Sequence, residues 1–300
     1  MTAMPVQEGR RPAPAVPGVS VIVPVFNEAE GIGGLLDELL RTLRALDRPF
    51  EVIVVDDGST DGSGDAARMR GVEVVGHGVN RGYGAALKTG IRRSQHPLVA
   101  IIDGDGTYPI DTIPALLGHL ETCDMAVGAR TGPSVAIPLA RRPAKWVLTR
   151  LANYLSGHRI PDLNSGLRIF RRDMAERFFG LFPEGFSFTT TITMAALTNG
   201  YRVTFVPVNY YKRAGQSSIR PVRDFLGFLL LIIRLIVYFK PLNVFLPASS
   251  ALLVVGLTKA ALDYSRTGAF GVGSAIAILV AIQIAFLGLL ADLIMRRTQL

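Results

Sequence analysis

Two carboxylates stand two residues apart at Asp103-Gly104-Asp105, directly after the apolar run Leu98 to Ile102. That spacing lets at least one of them, and both through water, aim at a common point. A hard cation such as Mg²⁺ or Mn²⁺ prefers oxygen ligands and typically takes one or two carboxylates together with substrate phosphates. The small Gly104 leaves room for a ligand against the backbone, yet the same letters also describe an acidic turn after a strand. Asp56-Asp57-Gly58-Ser59-Thr60-Asp61 offers carboxylates to ribose hydroxyls or a base edge, although Asp and Ser are equally turn and N-cap residues. In Pro24-Val25-Phe26-Asn27-Glu28, Asn27 or Glu28 either caps a following helix or faces a ligand.

What must position these groups is a set of short strands. Val19 to Val25 and Phe50 to Val55 are apolar, β-branched runs, with a helical pattern from Ile32 to Leu46 between them. Val72 to Val75 and Leu98 to Ile102 read as further strands around a helix from Gly84 to Arg93. Alternating elements of this kind predict an α/β, doubly wound parallel sheet. Ligands in such sheets bind beyond the carboxyl ends of the strands, where all three acidic segments fall. An ordinary strand end needs only one turn former, so their coincidence at one edge argues for a site.

The chain has 300 residues, 49% hydrophobic, and the apolar residues gather after residue 225. Residues 225–240 (FLGFLLLIIRLIVYFK) are short for a span and interrupted by Arg234, which predicts an interfacial helix. Leu242 to Leu262 and Gly271 to Ile294 are each long enough to cross a bilayer, giving a helical hairpin. Arg213, Arg220, Arg223 and Lys240 precede it and Arg296-Arg297 follow, against Arg266 in the connecting loop. The positive-inside bias puts both ends on the cytoplasmic side. Residues 1–18 read as a disordered tail without the apolar core of a secretory signal. The expected organisation is thus a tail (1–18), a cytoplasmic catalytic domain (19–222), an interfacial amphipathic helix (223–240) and two transmembrane helices (241–300), in the inner membrane as a multi-pass protein.

The formal charge of +8 suits anionic small substrates and lipid headgroups, and no nucleic-acid motif accompanies it. Cys123 is the sole cysteine, which excludes an internal disulfide and a cysteine zinc site. His77, His96, His119 and His158 lack metal-ligand spacing and read as structural. Gly82-x-Gly84 lacks the third glycine of a dinucleotide fingerprint.

Taken in order, P-x-F-N-E at 24–28, V-V-D-D-G-S-T-D at 54–61, N-R-G-Y-G-A-A at 80–86 and D-G-D-G-T-Y-P at 103–109 resemble the family-2 glycosyltransferases. Later segments resemble its polyprenyl-phosphate, dolichol-phosphate mannose synthase-like branch: Val127-Gly128-Ala129-Arg130, Asp162-Leu163-Asn164-Ser165-Gly166-Leu167-Arg168, and Tyr211-Lys212-Arg213-Ala214-Gly215-Gln216-Ser217-Ser218. The resemblance implies a glycosyltransferase-A fold and inversion at the anomeric carbon. It implies nucleotide-sugar contacts at Pro24, Phe26, Glu28, Asp57, Asp103 and Gly104. Asp103 and Asp105 would be metal and diphosphate residues for Mg²⁺ or Mn²⁺, and Arg130 a phosphate ligand. Asp162, Ser165, Arg168, Arg213 and Ser217 are further candidates. Two departures stand out: Ser218 replaces a frequent Lys, and Thr107 replaces a Gln that contacts metal in some relatives.

Residues 137–157 form a basic amphipathic stretch in which Lys145 and Thr149 lie one helical turn apart. With Arg142 they would face a lipid phosphate, or else solvent. The function so implied is transfer from a nucleotide diphosphate sugar, of GDP-mannose, UDP-glucose or UDP-N-acetylglucosamine type, to a membrane polyprenyl phosphate. Asp105, Arg130 and Lys145 would carry the catalysis. The alternatives are a lipid or polysaccharide acceptor of another kind and a non-catalytic membrane adaptor. The Q-x-x-R-W of processive synthases and the G-x-G-T-R of nucleotidyltransferases are both missing. The membrane helices offer surfaces for a homo-oligomer.

Overall fold

A computed structural model describes residues 16–133, 149–154, 156–185, 187–211, 237–238 and 240–298. Lys145, Arg213, Ser217 and most of the expected interfacial helix lie outside the described residues.

The described residues begin with β1 (Val19–Val25), α1 (Ala29–Arg44), β2 (Phe50–Asp56), α2 (Ser63–Arg68), β3 (Glu73–Gly76), α3 (Tyr83–Arg93) and β4 (Leu98–Ile101). They continue with α4 (Ile113–His119), β5 (Met125–Ala129), β6 (Arg168–Arg171), α5 (Arg172–Arg177), α6 (Phe188–Thr198) and β7 (Val203–Pro207). The seven strands form one sheet in the order β3-β2-β1-β4-β6-β5-β7. Side-chain alternation along β1 divides the core between the sheet's two faces. Val19, Val21, Val23 and Val25 pack with Ile32, Leu35, Leu36, Leu39 and Leu43 of α1. Ile22 faces the other way, towards Leu87 and Ile91 of α3 and Phe188 and Ile192 of α6. Each such fully buried aliphatic contributes about 1.5–3 kcal/mol.

The sheet is mostly parallel, as expected; the exception is β6, which runs antiparallel to both β4 and β5. β5 ends at the edge where β4 ends, so a chain that turns back there re-enters antiparallel, with no crossover needed. Ile101 consequently pairs with Arg168. The segment preceding Arg168 thereby arrives beside the acidic loop after β4. β7 runs parallel to β5, with Ala129 opposite Pro207, so the residues after β7 reach the same edge.

Two long helices close the chain, α7 (Leu242–Thr267) and α8 (Val272–Thr298), packed as a hairpin. Both are long and apolar enough to cross a membrane. Ser249 Oγ donates to the Ala281 carbonyl at 2.8 Å, and a Cβ on Gly256 would meet the Ile278 nitrogen at 3.1 Å. Val254, Val255, Leu257, Phe286, Leu287 and Leu290 point outward, exposed. α7 extends five residues past the expected Leu262. Its 26 residues span about 39 Å at 1.5 Å per residue, more than a hydrocarbon core of about 30 Å. The Lys259–Asp263 pair, at 3.0 Å, thus falls in the last turns, where it can reach the interface.

Candidate functional site

The first acidic segment is built by its neighbour. α1 starts three residues earlier than the apolar pattern predicts because the loop after β2 supplies its cap. Ala29 N donates to Asp61 Oδ2 at 3.0 Å and Glu28 N to Ser63 Oγ at 2.8 Å. Asn27, held at φ 56°, donates its N–H to Ser59 Oγ at 3.0 Å and accepts from Thr60 N at 2.9 Å. Helix N-termini leave unpaired N–H groups, and here another segment satisfies them, so two strand ends are tied into one wall. Phe26 projects from that wall, 43% exposed.

Asp57 is buried, and its carboxylate is engaged by the protein. Oδ1 accepts from Arg81 N at 2.9 Å and lies 2.7 Å from His77 Nδ1, while Oδ2 accepts from Gly82 N at 2.8 Å. His77 Nε2 in turn lies 2.9 Å from Thr89 Oγ1 on α3. Through these bonds Asp57 shapes the Arg81-Gly82 turn. The glycines of N-R-G-Y-G answer to packing: a Cβ on Gly84 would collide with the Pro183 carbonyl, and the Glu184 carbonyl accepts from Ala85 N at 2.9 Å.

The acid pair lies beyond β4. Tyr83 Oη donates to Asp103 Oδ1 at 2.7 Å, and Thr107 Oγ1 donates to Asp105 Oδ1 at 2.7 Å. A Cβ on Gly104 would approach the Pro24 carbonyl oxygen to 2.9 Å. The glycine is therefore needed for the close passage of β1. Burial, then the charge of Asp105, raises the Asp103 carboxyl to about 6, against opposing contributions from Tyr83, Arg130 and Arg168. An acidic pair under mutual repulsion fits a divalent cation with a substrate diphosphate completing its coordination. Among the described residues no cluster of three or more His, Cys, Asp or Glu is assembled for a metal.

The remaining candidates converge from β5, β6 and β7. Arg130 makes a two-point ion pair with Asp162, Nε to Oδ2 at 2.7 Å and Nη2 to Oδ1 at 2.9 Å, and lies 5.1 Å over the Tyr210 ring. Tyr108 accepts at Oη from Gly166 N at 2.7 Å and meets Tyr210 edge-on at 5.2 Å. Ser165 is buried and bonds the Gly128 carbonyl, so it holds backbone together. Arg168 is fully buried: Nη1 donates to the Thr189 carbonyl and to Thr193 Oγ1, each at 2.9 Å, and Nε has no hydrogen-bond partner among the described residues. Arg168 works from behind the site, where its charge opposes the rise of Asp103. Thr149 is half-buried in the helical residues 149–154, and its expected companion Lys145 lies outside the described residues. The roles of Tyr83, Tyr108 and Tyr210 were not assigned from the sequence, although Tyr83 and Tyr108 stand within the quoted segments 80–86 and 103–109.

The chain belongs to glycosyl transferase family 2, whose model matches residues 20–179. Residues 240–296 match a second family, the GtrB C-terminal hairpin. Among similar proteins, a dolichyl-phosphate hexose transferase of Haloferax volcanii is 28% identical over 205 residues, 68% of this chain and 87% of that protein. An undecaprenyl-phosphate mannosyltransferase of Micrococcus luteus is 29% identical, covering 67% of this chain and 87% of its own length. A solved glucosyl-3-phosphoglycerate synthase from Mycobacterium tuberculosis, in complex with Mn²⁺, UDP and phosphoglyceric acid, superposes with a TM-score of 0.57. It is 18% identical and covers 76% of this chain and 84% of that one. The fold is therefore glycosyltransferase-A, and the protein is a glycosyltransferase.

Proposed function

We propose that this protein transfers a sugar from a nucleotide diphosphate sugar to a polyprenyl phosphate held in a membrane, with inversion at the anomeric carbon. The observation that carries the reading is an acidic pair at the sheet edge of a chain whose residues 240–296 match the GtrB C-terminal hairpin and form two helices long and apolar enough to cross a membrane. The names of the Haloferax and Micrococcus relatives support the acceptor class.

Asp103 and Asp105 would hold Mg²⁺ or Mn²⁺, which supplies positive charge to the departing diphosphate; the Mn²⁺ and UDP of the solved relative support this. Phe26 and the wall joining residues 27–29 to 59–63 would receive the nucleoside. A phosphate acceptor is already anionic at neutral pH, so no strong general base is required. Catalysis then rests on positioning and on offsetting charge. Arg130, aligned by Asp162 and Tyr210, and Lys145 with Thr149 would steady the acceptor phosphate. We assign residues 19–222 to catalysis and 241–300 to anchoring, with the catalytic domain and both ends of the hairpin on the cytoplasmic side of the inner membrane. The excess of Lys240, Arg296 and Arg297 over Arg266 supports that sidedness.

The test is to incubate the full chain in detergent with radiolabelled GDP-mannose, UDP-glucose or UDP-N-acetylglucosamine and a short polyprenyl phosphate. Label should enter the organic phase with one donor and cease to do so with a chelator. Transfer only to a soluble phosphorylated acceptor such as 3-phosphoglycerate would overturn the acceptor assignment.

A further inference from the structure

We infer that the hydroxyls of Tyr83 and Thr107 are a pair of positioning groups that orient the two acidic side chains for the cation. The inference rests on the metal reading of Asp103 and Asp105 and concerns residues to which that reading assigns nothing. Each carboxylate accepts, on its Oδ1, a hydroxyl hydrogen bond of 2.7 Å, one from Tyr83 and one from Thr107. The donors come from opposite sides. Tyr83 opens α3, whereas Thr107 belongs to the acidic loop itself and adds its backbone N–H to the same Asp105 oxygen at 3.2 Å.

Two carboxylates this close repel, and a short acidic side chain relieves repulsion by rotating about Cβ–Cγ. A hydroxyl donor fixed by its own surroundings blocks that rotation without adding a charge. Both donors are so fixed. Thr107 is fully buried, and its carbonyl accepts from Tyr211 N at 2.9 Å. The backbone beneath Tyr83 is locked by the Glu184 carbonyl, which bonds Ala85 N at 2.9 Å and would meet a Cβ on Gly82 at 2.6 Å. Groups that orient a metal's ligands typically change its affinity 10–100-fold when removed.

Tyr83→Phe and Thr107→Val remove one hydroxyl each and keep the shape, and Thr107→Ser keeps the donor. Mn²⁺ binding to the full-length protein, followed by the electron paramagnetic resonance of free Mn²⁺ with excess UDP and, separately, GDP, should weaken on the order of tenfold in each of the first two variants. Thr107→Ser should recover most of that affinity, and melting temperatures without metal identify any variant that has merely lost its fold. Wild-type Mn²⁺ affinity in folded Tyr83→Phe and Thr107→Val, while Asp105→Asn has lost binding, would overturn the inference and leave the metal reading standing. Wild-type affinity in Asp105→Asn would instead overturn the metal reading itself, and the inference with it.

Discussion

Arg130 and Asp162 meet through two parallel hydrogen bonds of 2.7 and 2.9 Å, with the Asp162 side chain fully buried. Asp162 also accepts from the Arg130 backbone N–H at 3.0 Å, so the same carboxylate fixes both the main chain and the guanidinium. The flat fork of arginine matches a carboxylate in a way that an ammonium cannot.

Breaking a buried pair from one side leaves the other charge uncompensated, at a cost of about 3–5 kcal/mol. Arg130→Ala should therefore both destabilise the domain by about that amount and abolish transfer. Arg130→Lys should restore more stability than activity, because it returns charge without the fork. Denaturant unfolding alongside the transfer assay checks this, and equal recovery of both quantities would sink the orienting role of Asp162.

Asp57 reaches the donor side through the Arg81-Gly82 turn. Asp57→Asn keeps an acceptor for one of the two N–H groups and should raise the donor KM several-fold with a smaller change in kcat, each lost hydrogen bond being worth about 1 kcal/mol. His77→Phe should act in the same direction, since it removes the link from Asp57 to Thr89. Steady-state kinetics against donor concentration measure it. A fall in kcat at constant KM would contradict a role confined to shaping the turn.

The raised Asp103 gives a pH dependence whose sign differs between metal-free and loaded protein. A carboxyl lifted from 3.8 to about 6 favours its protonated form in the fold, so its stabilising contribution is complete below 3.8 and is lost as pH rises through about 6. Above that, the ionised pair is a liability to the metal-free protein. Asp103→Asn should thus raise the melting temperature of the chelated protein at about pH 7.5, by up to about 3 kcal/mol of stability, with the gain shrinking towards pH 5. Mn²⁺ binding by the wild type should fall as pH drops below about 6, where the proton competes with the metal. Calorimetry across this range measures both, and a gain in stability independent of pH would refute the ionisation of Asp103 as its cause.

Much of the fold was legible because β1, β2 and β4 are β-branched runs ending in acidic turns, and the period of α1 fixes its buried face. The antiparallel entry of β6 was not. It depends on where the 130–167 connection returns, and no local pattern in Arg168 to Arg171 encodes that. The same non-local pairing hid the surroundings of Arg168, whose partners Thr189 and Thr193 are more than twenty residues away. Thr107 was legible as a departure, but its hydrogen bond to Asp105 became visible only in three dimensions. His77 reads as structural in the sequence and is so in the fold, but its partner Asp57, twenty residues earlier, has no local signature.

The hairpin separates two contributions that the catalytic domain alone cannot. α7 and α8 expose Val254, Leu257, Phe286 and Leu290, a surface suited to lipid tails, while the acid pair lies in the aqueous domain. If the helices only hold the domain where a long polyprenyl chain can present its phosphate, deleting residues 241–300 should leave nucleotide-sugar binding nearly intact. Transfer to a long-chain lipid phosphate should then fall by about tenfold or more, since effective concentration at the membrane is what is lost. Transfer to a short, water-soluble polyprenyl phosphate should fall much less. Lys240 Nζ, just ahead of the deleted residues, donates to the Ser156 carbonyl at 3.4 Å, so the truncated chain keeps this contact. Equilibrium binding of donor to the truncated protein, compared with its rates on short and long acceptors, separates these effects. Equal loss of donor binding and of both transfer rates would mean that the hairpin builds the site as well as anchoring it.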